Sequence, residues 1–403
     1  MNIFKKFYCR TFQGIMYMAI PFMPYRKPTM LTSAKELVNV LKEQNKTSVL
    51  LVTDKSIRGF GLTNELEEKI TKAKIKLTVF DDVVPNPTIE NVESGLAVYK
   101  ENACDTIVAF GGGSVMDAAK VIGARVVRPN KPVSKMKGLL KVCKKLPLLI
   151  AIPTTAGTGS ETTLAAVITD EKTHFKYPIN DFNLIPSFAV LDYKTTLGLP
   201  PHITSTTGMD ALTHAVEAYI GKATTKETRD MAEKAVKLIV DNIYTAYSKG
   251  TNKAARENML KAAYYAGVAF TKSYVGYVHA VAHSLGGQYK VPHGLANAVI
   301  LPYFLEEYGN TIYKKLSKLA KLSNIATQED SDEVASKKFI TWIKETNAKM
   351  NIPSTIEGIK AEDIDMLSAK ANSEGNPLYP VPKLMDKPAL AKMYYKIGGL
   401  ESK

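Results

Sequence analysis

Short apolar runs alternate with helical patterns over the first half of the chain. Four runs are rich in aliphatic, often β-branched residues: TSVLLVTD (47–54), KLTVFDDV (76–83), DTIVAFGGG (105–113) and LPLLIAIPTT (146–155). Helical patterns such as NELEEKITKAK and IENVESGLAVYKEN separate the first three. Strands that alternate with helices predict a parallel sheet with helices on both faces. The sequence therefore predicts an α/β domain for this half.

The pattern changes at the segment LGLPPH (197–202). Pro200 and Pro201 stop any regular element at this point. Long helical patterns dominate from about residue 203, as in ARENMLKAAYYAGVAF, and none of the later segments resembles a strand. We therefore expect two domains, an α/β domain over residues 1–198 and a helical domain over residues 199–403.

Residues 1–30 form an apolar N-terminal arm that we assign to the α/β domain. Basic residues precede an apolar run, as in a secretion signal, but Gln13 and Gly14 interrupt the run and Pro21 and Pro24 break it. We expect an edge strand or a hydrophobic arm packed on the domain or on a neighbouring subunit. No stretch approaches the roughly 20 apolar residues of a transmembrane helix, so we expect a cytoplasmic protein with no membrane partner.

The composition is that of a globular protein, with 45% hydrophobic and 23% charged residues. A formal net charge of +14 invites a nucleic-acid interpretation. The lysines are spread along the chain, however, and no basic block is interleaved with aromatic residues, so we expect the charge to favour anionic cofactors and not nucleic acid. Three cysteines without CxxC spacing indicate a reducing compartment with no disulfide framework.

Two Gly- and Thr-rich turns follow apolar runs. In IVAFGGGSVMDAAK, three glycines and Ser114 lie between a predicted strand and a predicted helix, where free backbone amides attract an anion such as a pyrophosphate. IPTTAGTGSE (152–161) adds threonine hydroxyls in a second such loop. Either turn alone could be a plain connection, but two at the ends of parallel strands predict a dinucleotide site. Asp54 closes an early strand and is either a turn aspartate or a ribose ligand that favours NAD over NADP.

Histidines are few and concentrated in the helical half. Asp210 and His214 lie four residues apart in GMDALTHAVEAY, so they share one helical face, either as a surface pair or as two ligands. HAVAHSLGGQYKVPHG contributes His279, His283 and His293, whereas His174 and His202 stand alone. One Asp with three His forms a donor set suited to Fe²⁺ or Zn²⁺, which would act as a Lewis acid on a substrate oxygen. We therefore interpret Asp210 and His214 as two metal ligands.

Four long motifs together resemble the iron-containing (group III) alcohol dehydrogenase family. They are GGGSVMDAAK, PTTAGTGSE, GMDALTHAVEAY and HAVAHSLGGQYKVPHGLANAVILP, in the order and spacing of that family from about residue 30 onwards. The resemblance implies an N-terminal Rossmann-like parallel-sheet domain and a C-terminal helical domain, with the active site in the cleft between them. It also implies a homodimer or a larger homo-oligomer.

The resemblance also implies roles for individual residues. It assigns four metal ligands: Asp210, His214, His279 and His293. His283 resembles a non-ligand histidine near the nicotinamide ring, where it is a candidate proton relay or only shapes the pocket. The resemblance places the following residues at the cofactor, with Asp54 selecting NAD: Asp54, Asn86, Gly112, Gly113, Ser114, Thr154, Thr155 and Lys176.

The activity implied is a metal-dependent transfer of a hydride between a primary alcohol, or its aldehyde, and NAD. Ala165 and Ala166 follow the second loop, and their small side chains favour a roomy apolar pocket and hence aliphatic substrates. A glycerol-type polyol dehydrogenase of the same fold is the alternative. A dehydroquinate-synthase-like lyase would need a Lys/Arg cluster around the metal ligands, which is missing from the sequence. An idle binding protein would not need the complete set of ligands.

Overall fold

The chain folds into two units. The structure is a computed structural model, and it describes residues 1–171 and 175–401. Pro24–Gly198 form an α/β unit, and Met1–Met23 join the chain from Leu199 onwards in a helical unit. His174, which the sequence analysis left without a role, lies outside the described residues.

Strands within the described residues occur only in the α/β unit. They are β1 (Thr29–Leu31), β2 (Ser48–Val52), β3 (Lys76–Phe80), β4 (Thr106–Gly111), β5 (Gly138–Leu139), β6 (Leu148–Pro153), β7 (Ala165–Asp170), β8 (Phe175–Asn180) and β9 (Phe188–Val190). Six of them form a parallel sheet in the order β1-β9-β6-β4-β2-β3. The parallel sheet predicted from the sequence is confirmed, and the four apolar runs became β2, β3, β4 and β6.

Helices cover both faces of this sheet. The helices from the N-terminus to the end of the α/β unit are α1 (Ile3–Ala19), α2 (Ala34–Glu43), α3 (Lys55–Gly59), α4 (Asn64–Lys72), α5 (Ile89–Glu101) and α6 (Gly113–Val127). Two apolar cores result, one containing α5 and α6 residues such as Val92 and Ile122, the other containing α2 and α4 residues such as Leu37 and Ile70. Every residue of β2 and β4 is buried, as a strand covered on both faces requires.

A second, smaller sheet joins β5, β8 and β7 in that order, with β7 and β8 antiparallel. From the sequence, the small side chains of Ala165 and Ala166 are expected to leave room for a substrate. That expectation is wrong for Ala166, which is fully buried among the apolar residues of the α5–α6 core. The Ala165 carbonyl accepts a hydrogen bond from the buried Lys120 ammonium group. The Ala166 side chain is therefore part of the core, and the Ala165 backbone holds the buried lysine.

The helical unit consists of α1 and nine later helices of the described residues. These are α7 (Pro201–Ile220), α8 (Lys226–Ser248), α9 (Lys253–Ser273), α10 (Tyr277–Tyr289), α11 (His293–Tyr308), α12 (Tyr313–Leu322), α13 (Asp332–Lys349), α14 (Ile364–Gly375) and α15 (Lys387–Ile397). α7 begins at Pro201, because proline suits the first turn, where its missing N–H is not needed. Among the described residues, no helix is long and apolar enough to cross a membrane.

The N-terminal arm differs from its predicted form and place. Its residues 3–19 form the helix α1, capped by Asn2, and not an edge strand. Met1–Met23 belong to the helical unit and not to the α/β domain, because polar side chains of α1 bond to the segment before α15. Residues 24–30 lie in the α/β unit as expected and lead into β1, the edge strand of the large sheet. The Arg10 guanidinium donates to the Val381 carbonyl over 2.8 Å, and the Gln13 amide donates to the Tyr379 carbonyl over 2.7 Å.

Candidate functional site

The helical unit brings the four predicted metal ligands together. α7 supplies Asp210 and His214, α10 supplies His279, and His293 is the first residue of α11. One ligand atom from each lies within 4.8 Å of every other. Asp210 and His214 are only 1% and 4% exposed, so the alternative of a routine surface pair is excluded.

A close approach between two helices creates this arrangement. The start of α11 lies against the backbone of α7, and a Cβ on Gly294 would come 2.7 Å from the Thr206 carbonyl oxygen. Only glycine fits at this point without moving one of the helices. Gly294 therefore allows His293, its neighbour, to reach the side chain of Asp210, where His293 Nε2 lies 3.6 Å from Asp210 Oδ1.

Glu217 fixes the orientation of His279. Glu217 Oε2 lies 2.6 Å from His279 Nδ1, and the carboxylate also accepts hydrogen bonds from the backbone N–H groups of Gly276 and Val278, each over 2.9 Å. Because the Glu217 carboxylate acts as an acceptor toward both backbone N–H groups, we expect it to accept from His279 Nδ1 as well. His279 then carries its proton on Nδ1 and leaves the lone pair of Nε2 for a ligand. Burial raises the pKa of Glu217 to about 7, although these backbone donors oppose the shift. Burial also lowers the pKa of His279 well below its usual value, which keeps the ring neutral.

The acceptor atoms of three candidate ligands converge on the amide of Asn297. Its Nδ2 lies 2.7 Å from Asp210 Oδ1, 3.2 Å from His279 Nε2 and 3.1 Å from His293 Nε2. Three lone pairs that converge on one small donor group also suit a cation, and three imidazole nitrogens with one carboxylate suit Fe²⁺ or Zn²⁺. The residues present therefore fit a divalent metal ion.

His214 completes the cluster from inside the helical core. Its ring stacks on Phe270 with centroids 4.2 Å apart and lies 4.5 Å from the His279 ring. These contacts hold the imidazole in one orientation against the other candidate ligands.

His283 lies beside the cluster. Its ring stacks on His293 with centroids 5.2 Å apart, and its side chain is 45% exposed. Glu374, from α14, places Oε1 2.6 Å from His283 Nδ1, and the same oxygen accepts a hydrogen bond from the Tyr379 hydroxyl over 2.7 Å. The carboxylate orients the imidazole, so that Nε2 is the ring nitrogen left for other contacts.

The two Gly- and Thr-rich turns lie side by side in the α/β unit. Gly112 and Gly113 follow β4, and Thr154 and Thr155 follow the neighbouring parallel strand β6. The Thr154 amide donates to the Gly111 carbonyl over 3.1 Å, which joins the two turns. A Cβ on Gly112 would lie 3.8 Å from the Thr155 side chain. Both turns are thus at the carboxyl edge of the sheet, where α/β proteins bind ligands.

Three further cofactor candidates form a chain of contacts beside the first turn. The backbone N–H of Asn86 donates to the Ser114 hydroxyl oxygen over 3.3 Å, and the Lys176 ammonium group donates to Asn86 Oδ1 over 2.5 Å. Residues from three separate segments therefore meet at the start of α6, where a helix N-terminus favours an anion.

Asp54 caps a helix at the same edge of the sheet. It follows β2, the neighbour of β4, and its Oδ1 accepts a hydrogen bond from the Ile57 N–H over 2.9 Å at the start of α3. The turn interpretation of Asp54 therefore describes part of its role. Its predicted contact with a ribose stays a prediction.

Besides Asn297, three residues with a clear part in these sites were not predicted from the sequence. Glu217 lies three residues after His214 on the same helix, so its helical spacing could have revealed it. Glu374 is 91 positions from its partner His283, a distance at which no spacing rule applies. Lys120, at the end of GGGSVMDAAK, is fully buried and donates to Ser160, Thr163 and Ala165. It thereby ties α6 to the second loop.

Comparison with known proteins agrees with the geometry. Residues 30–193 match the family described as iron-containing alcohol dehydrogenase, and residues 204–397 match the C-terminal part of the Fe-containing alcohol dehydrogenase family. Alcohol dehydrogenase 4 of Saccharomyces cerevisiae is 38% identical over 341 residues, which cover 84% of this chain and 87% of that protein.

Two further relatives extend this comparison. The 1,3-propanediol dehydrogenase of Klebsiella pneumoniae is 39% identical over 333 residues, 81% of this chain and 85% of that one. The solved structure of an alcohol dehydrogenase from Oenococcus oeni superimposes with a TM-score of 0.87 at 32% identity, covering 93% of this chain and 100% of the other. The chain therefore belongs to the iron-containing alcohol dehydrogenase family of oxidoreductases.

Proposed function

We propose that this chain is a metal-dependent alcohol dehydrogenase and aldehyde reductase that transfers a hydride between a primary aliphatic alcohol and NAD. The observation that carries the proposal is the convergence of four ligand-type side chains within 4.8 Å, of which Asp210, His214 and His279 are buried. Burying a carboxylate beside three imidazoles is costly unless a cation joins them. A structural role alone would not favour that arrangement.

Asp210, His214, His279 and His293 would hold the metal, with Fe²⁺ as the first choice and Zn²⁺ as the alternative. The bound ion supplies Lewis acidity toward the substrate oxygen. Glu217 contributes by holding the His279 ring in one tautomer and one orientation.

His283 is the proposed proton-handling group, and Glu374 is its positioning residue. The Glu374 carboxylate takes the Nδ1 side of the ring, so His283 would exchange a proton through Nε2. The 45% exposure of the His283 side chain supports this role, because a relay must reach both substrate and solvent.

The proposed cofactor site comprises the two turns and their neighbours. Gly112, Gly113 and Ser114 would bind the pyrophosphate with Thr154 and Thr155, because their backbone amides and hydroxyls lie at adjacent strand ends. Asn86 and Lys176 border this group through their mutual contact. We propose NAD over NADP because the Asp54 carboxylate, at the end of β2, would repel a 2′-phosphate.

A polyol dehydrogenase is the second candidate, because 1,3-propanediol dehydrogenases are among the relatives of this chain. We also propose that the protein is cytoplasmic and has no nucleic-acid partner. We propose further that it forms a homodimer or a larger homo-oligomer, and light scattering would test this oligomeric state.

The deciding experiment is NADH-linked aldehyde reduction by the purified protein, stripped of metal and then given Fe²⁺ or Zn²⁺ without oxygen. Straight-chain aldehydes of increasing length and 3-hydroxypropanal should be compared. The proposal is supported if added metal restores turnover in the unchanged chain and does not restore it in His279→Ala. A rate that falls steadily beyond acetaldehyde would contradict the longer aliphatic substrates, and preference for the hydroxyaldehyde would favour the polyol candidate. Metal binding without any turnover would overturn the proposed reaction.

A further inference from the structure

The helix α1 presents a large apolar surface to solvent. Several of its residues and one just beyond it are mostly exposed: Ile3 (76%), Phe4 (82%), Phe7 (72%), Tyr8 (58%), Ile15 (57%), Met18 (65%) and Phe22 (89%). Side chains of this type are normally buried when they are clustered, and a contiguous exposed patch marks an interaction surface. We call the patch formed by these seven residues the α1 face.

Polar contacts hold α1 to the protein on its opposite side. Arg10 donates to two carbonyl groups, those of Val381 and Pro382, over 2.8 and 3.0 Å. Gln13, which is 5% exposed, donates to the carbonyl groups of Pro377 and Tyr379 over 3.0 and 2.7 Å. A surface helix usually buries its apolar side. In α1 the side toward the protein carries the hydrogen bonds of Arg10 and Gln13, and most of the apolar residues face outward. The contacts fix this orientation.

Cations flank the α1 face. At 100° per residue, Phe7 and Met18 lie near the middle of the exposed arc, and Lys5 and Lys6 lie on the two sides of the helix, each about 60° beyond an edge of the arc. Both lysines are exposed, and the first acidic residue of the chain is Glu36, well beyond the helix. Long lysine side chains on the flanks of such a helix can extend toward phosphate groups while the apolar residues enter the acyl region.

We propose that the α1 face binds the surface of a membrane that contains anionic lipids. The helix has 17 residues and is thus about 25 Å long, which is too short to span a bilayer but suits a helix lying in the interfacial plane. Aromatic residues are prominent in the face, and such rings are well suited to the zone between headgroups and acyl chains. The proposal departs from the sequence-based expectation of no membrane partner, which considered only spanning segments.

A second copy of α1 is the other occupant to consider. Tyr8, Ile15, Met18 and Phe22 follow spacings of seven, three and four residues, which would allow two helices to pack along a seam. A second α1 helix would offer Lys5 and Lys6 no acidic partner, because the helix contains no Asp or Glu. An anionic surface satisfies both the apolar arc and its flanking charges, so the charges favour lipid.

The test is co-sedimentation of the purified full chain with vesicles. Vesicles of phosphatidylcholine mixed with phosphatidylglycerol should retain the protein, and vesicles of phosphatidylcholine alone should retain at least about tenfold less. Phe4→Ser with Phe7→Ser should remove binding to the anionic vesicles. Lys5→Glu with Lys6→Glu should weaken it at least about tenfold and reduce its dependence on salt.

Phe60→Ser is the matched control, because Phe60 is 81% exposed and lies on the α/β unit, away from the α1 face in sequence. This variant should bind as the unchanged chain does. Circular dichroism and the thermal midpoint of each variant check the fold without reference to enzyme activity, so the outcome does not depend on the proposed function. Absence of binding to anionic vesicles would overturn the proposal. So would a fall in molar mass of the Phe4/Phe7 variant by light scattering, which would assign the face to a second copy.

Discussion

Glu217 Oε2 lies 2.6 Å from Nδ1 of His279, and both side chains are almost completely buried. The pair joins two helices, because Glu217 is near the end of α7 and His279 is in the first turn of α10. Glu217 also accepts two N–H groups at the start of α10, where a helix favours negative charge. One carboxylate thus both anchors a helix and presents a candidate ligand.

Glu217→Gln should lower the affinity for the metal about tenfold to a hundredfold, because the amide binds the imidazole less strongly and can turn its NH₂ group toward it. The measurement is a competition titration of metal-free protein with Zn²⁺ against a chelator, which requires no turnover. Glu257→Gln, at a partly exposed helical ion pair, is the control and should leave the affinity unchanged. Equal affinities in both variants would show that Glu217 serves only the helix.

The strands that could be predicted from the sequence are those whose apolar character extends over several positions. β2 and β4 are buried along their whole length, so their apolar runs were sufficient evidence. β1 and β9 have three residues each, too few for any periodicity; β1 pairs with β9, and β9 pairs with β6, through contacts distant in sequence. The helical form of α1 is not evident from the sequence, because its apolar residues face solvent and so do not mark a buried helical face.

The site was predictable where its members share a helix or a motif. Asp210 and His214 are one turn apart, and His279, His283 and His293 lie within 15 positions of one another. Partners such as Glu374 were not predictable, because only the packing of α14 beside α10 brings them to the cluster. Asn297 follows His293 by one helical turn, but its convergence on three acceptors depends on three helices at once.

Glu374→Gln should reduce turnover about tenfold or more while metal content stays unchanged, because the neutral amide is a weaker acceptor for His283 Nδ1 and can turn its NH₂ group toward it. Steady-state rates should be measured beside metal analysis of the same preparations. Lys383→Gln, on the surface near the same segment, is the control. A proportional loss of metal and rate would instead place Glu374 in support of His293, on which the His283 ring stacks.

Asp54→Ser should shift the cofactor preference toward NADP by about tenfold or more, since the variant lacks the charge that would repel a 2′-phosphate. Serine is chosen because it also caps helices, so α3 keeps its hydrogen bond to the Ile57 N–H. The ratio of kcat/KM for NADH and NADPH measures the effect. An unchanged ratio, with α3 intact, would limit Asp54 to its capping role.

Glu161→Gln should stabilise the protein above neutral pH and have less effect near pH 5. Glu161 is 2% exposed, and burial raises its pKa to about 7, although Lys120 opposes part of the shift. Between about pH 4.5 and 7 the folded chain therefore retains a proton that the unfolded chain releases, so the free energy of unfolding falls as the pH rises through this window.

The variant lacks this carboxyl group. The difference between its free energy of unfolding and that of the unchanged chain should therefore shift in favour of the variant by an amount on the order of 2 kcal/mol from pH 5 to pH 8. Thermal midpoints of both proteins, measured in parallel at the two pH values, give the comparison. Glu101→Gln, an exposed position on α5, should show no such growth. If the difference between Glu161→Gln and the unchanged chain were the same at both pH values, Glu161 would be ionised in the folded protein throughout, with Lys120 as its compensating charge.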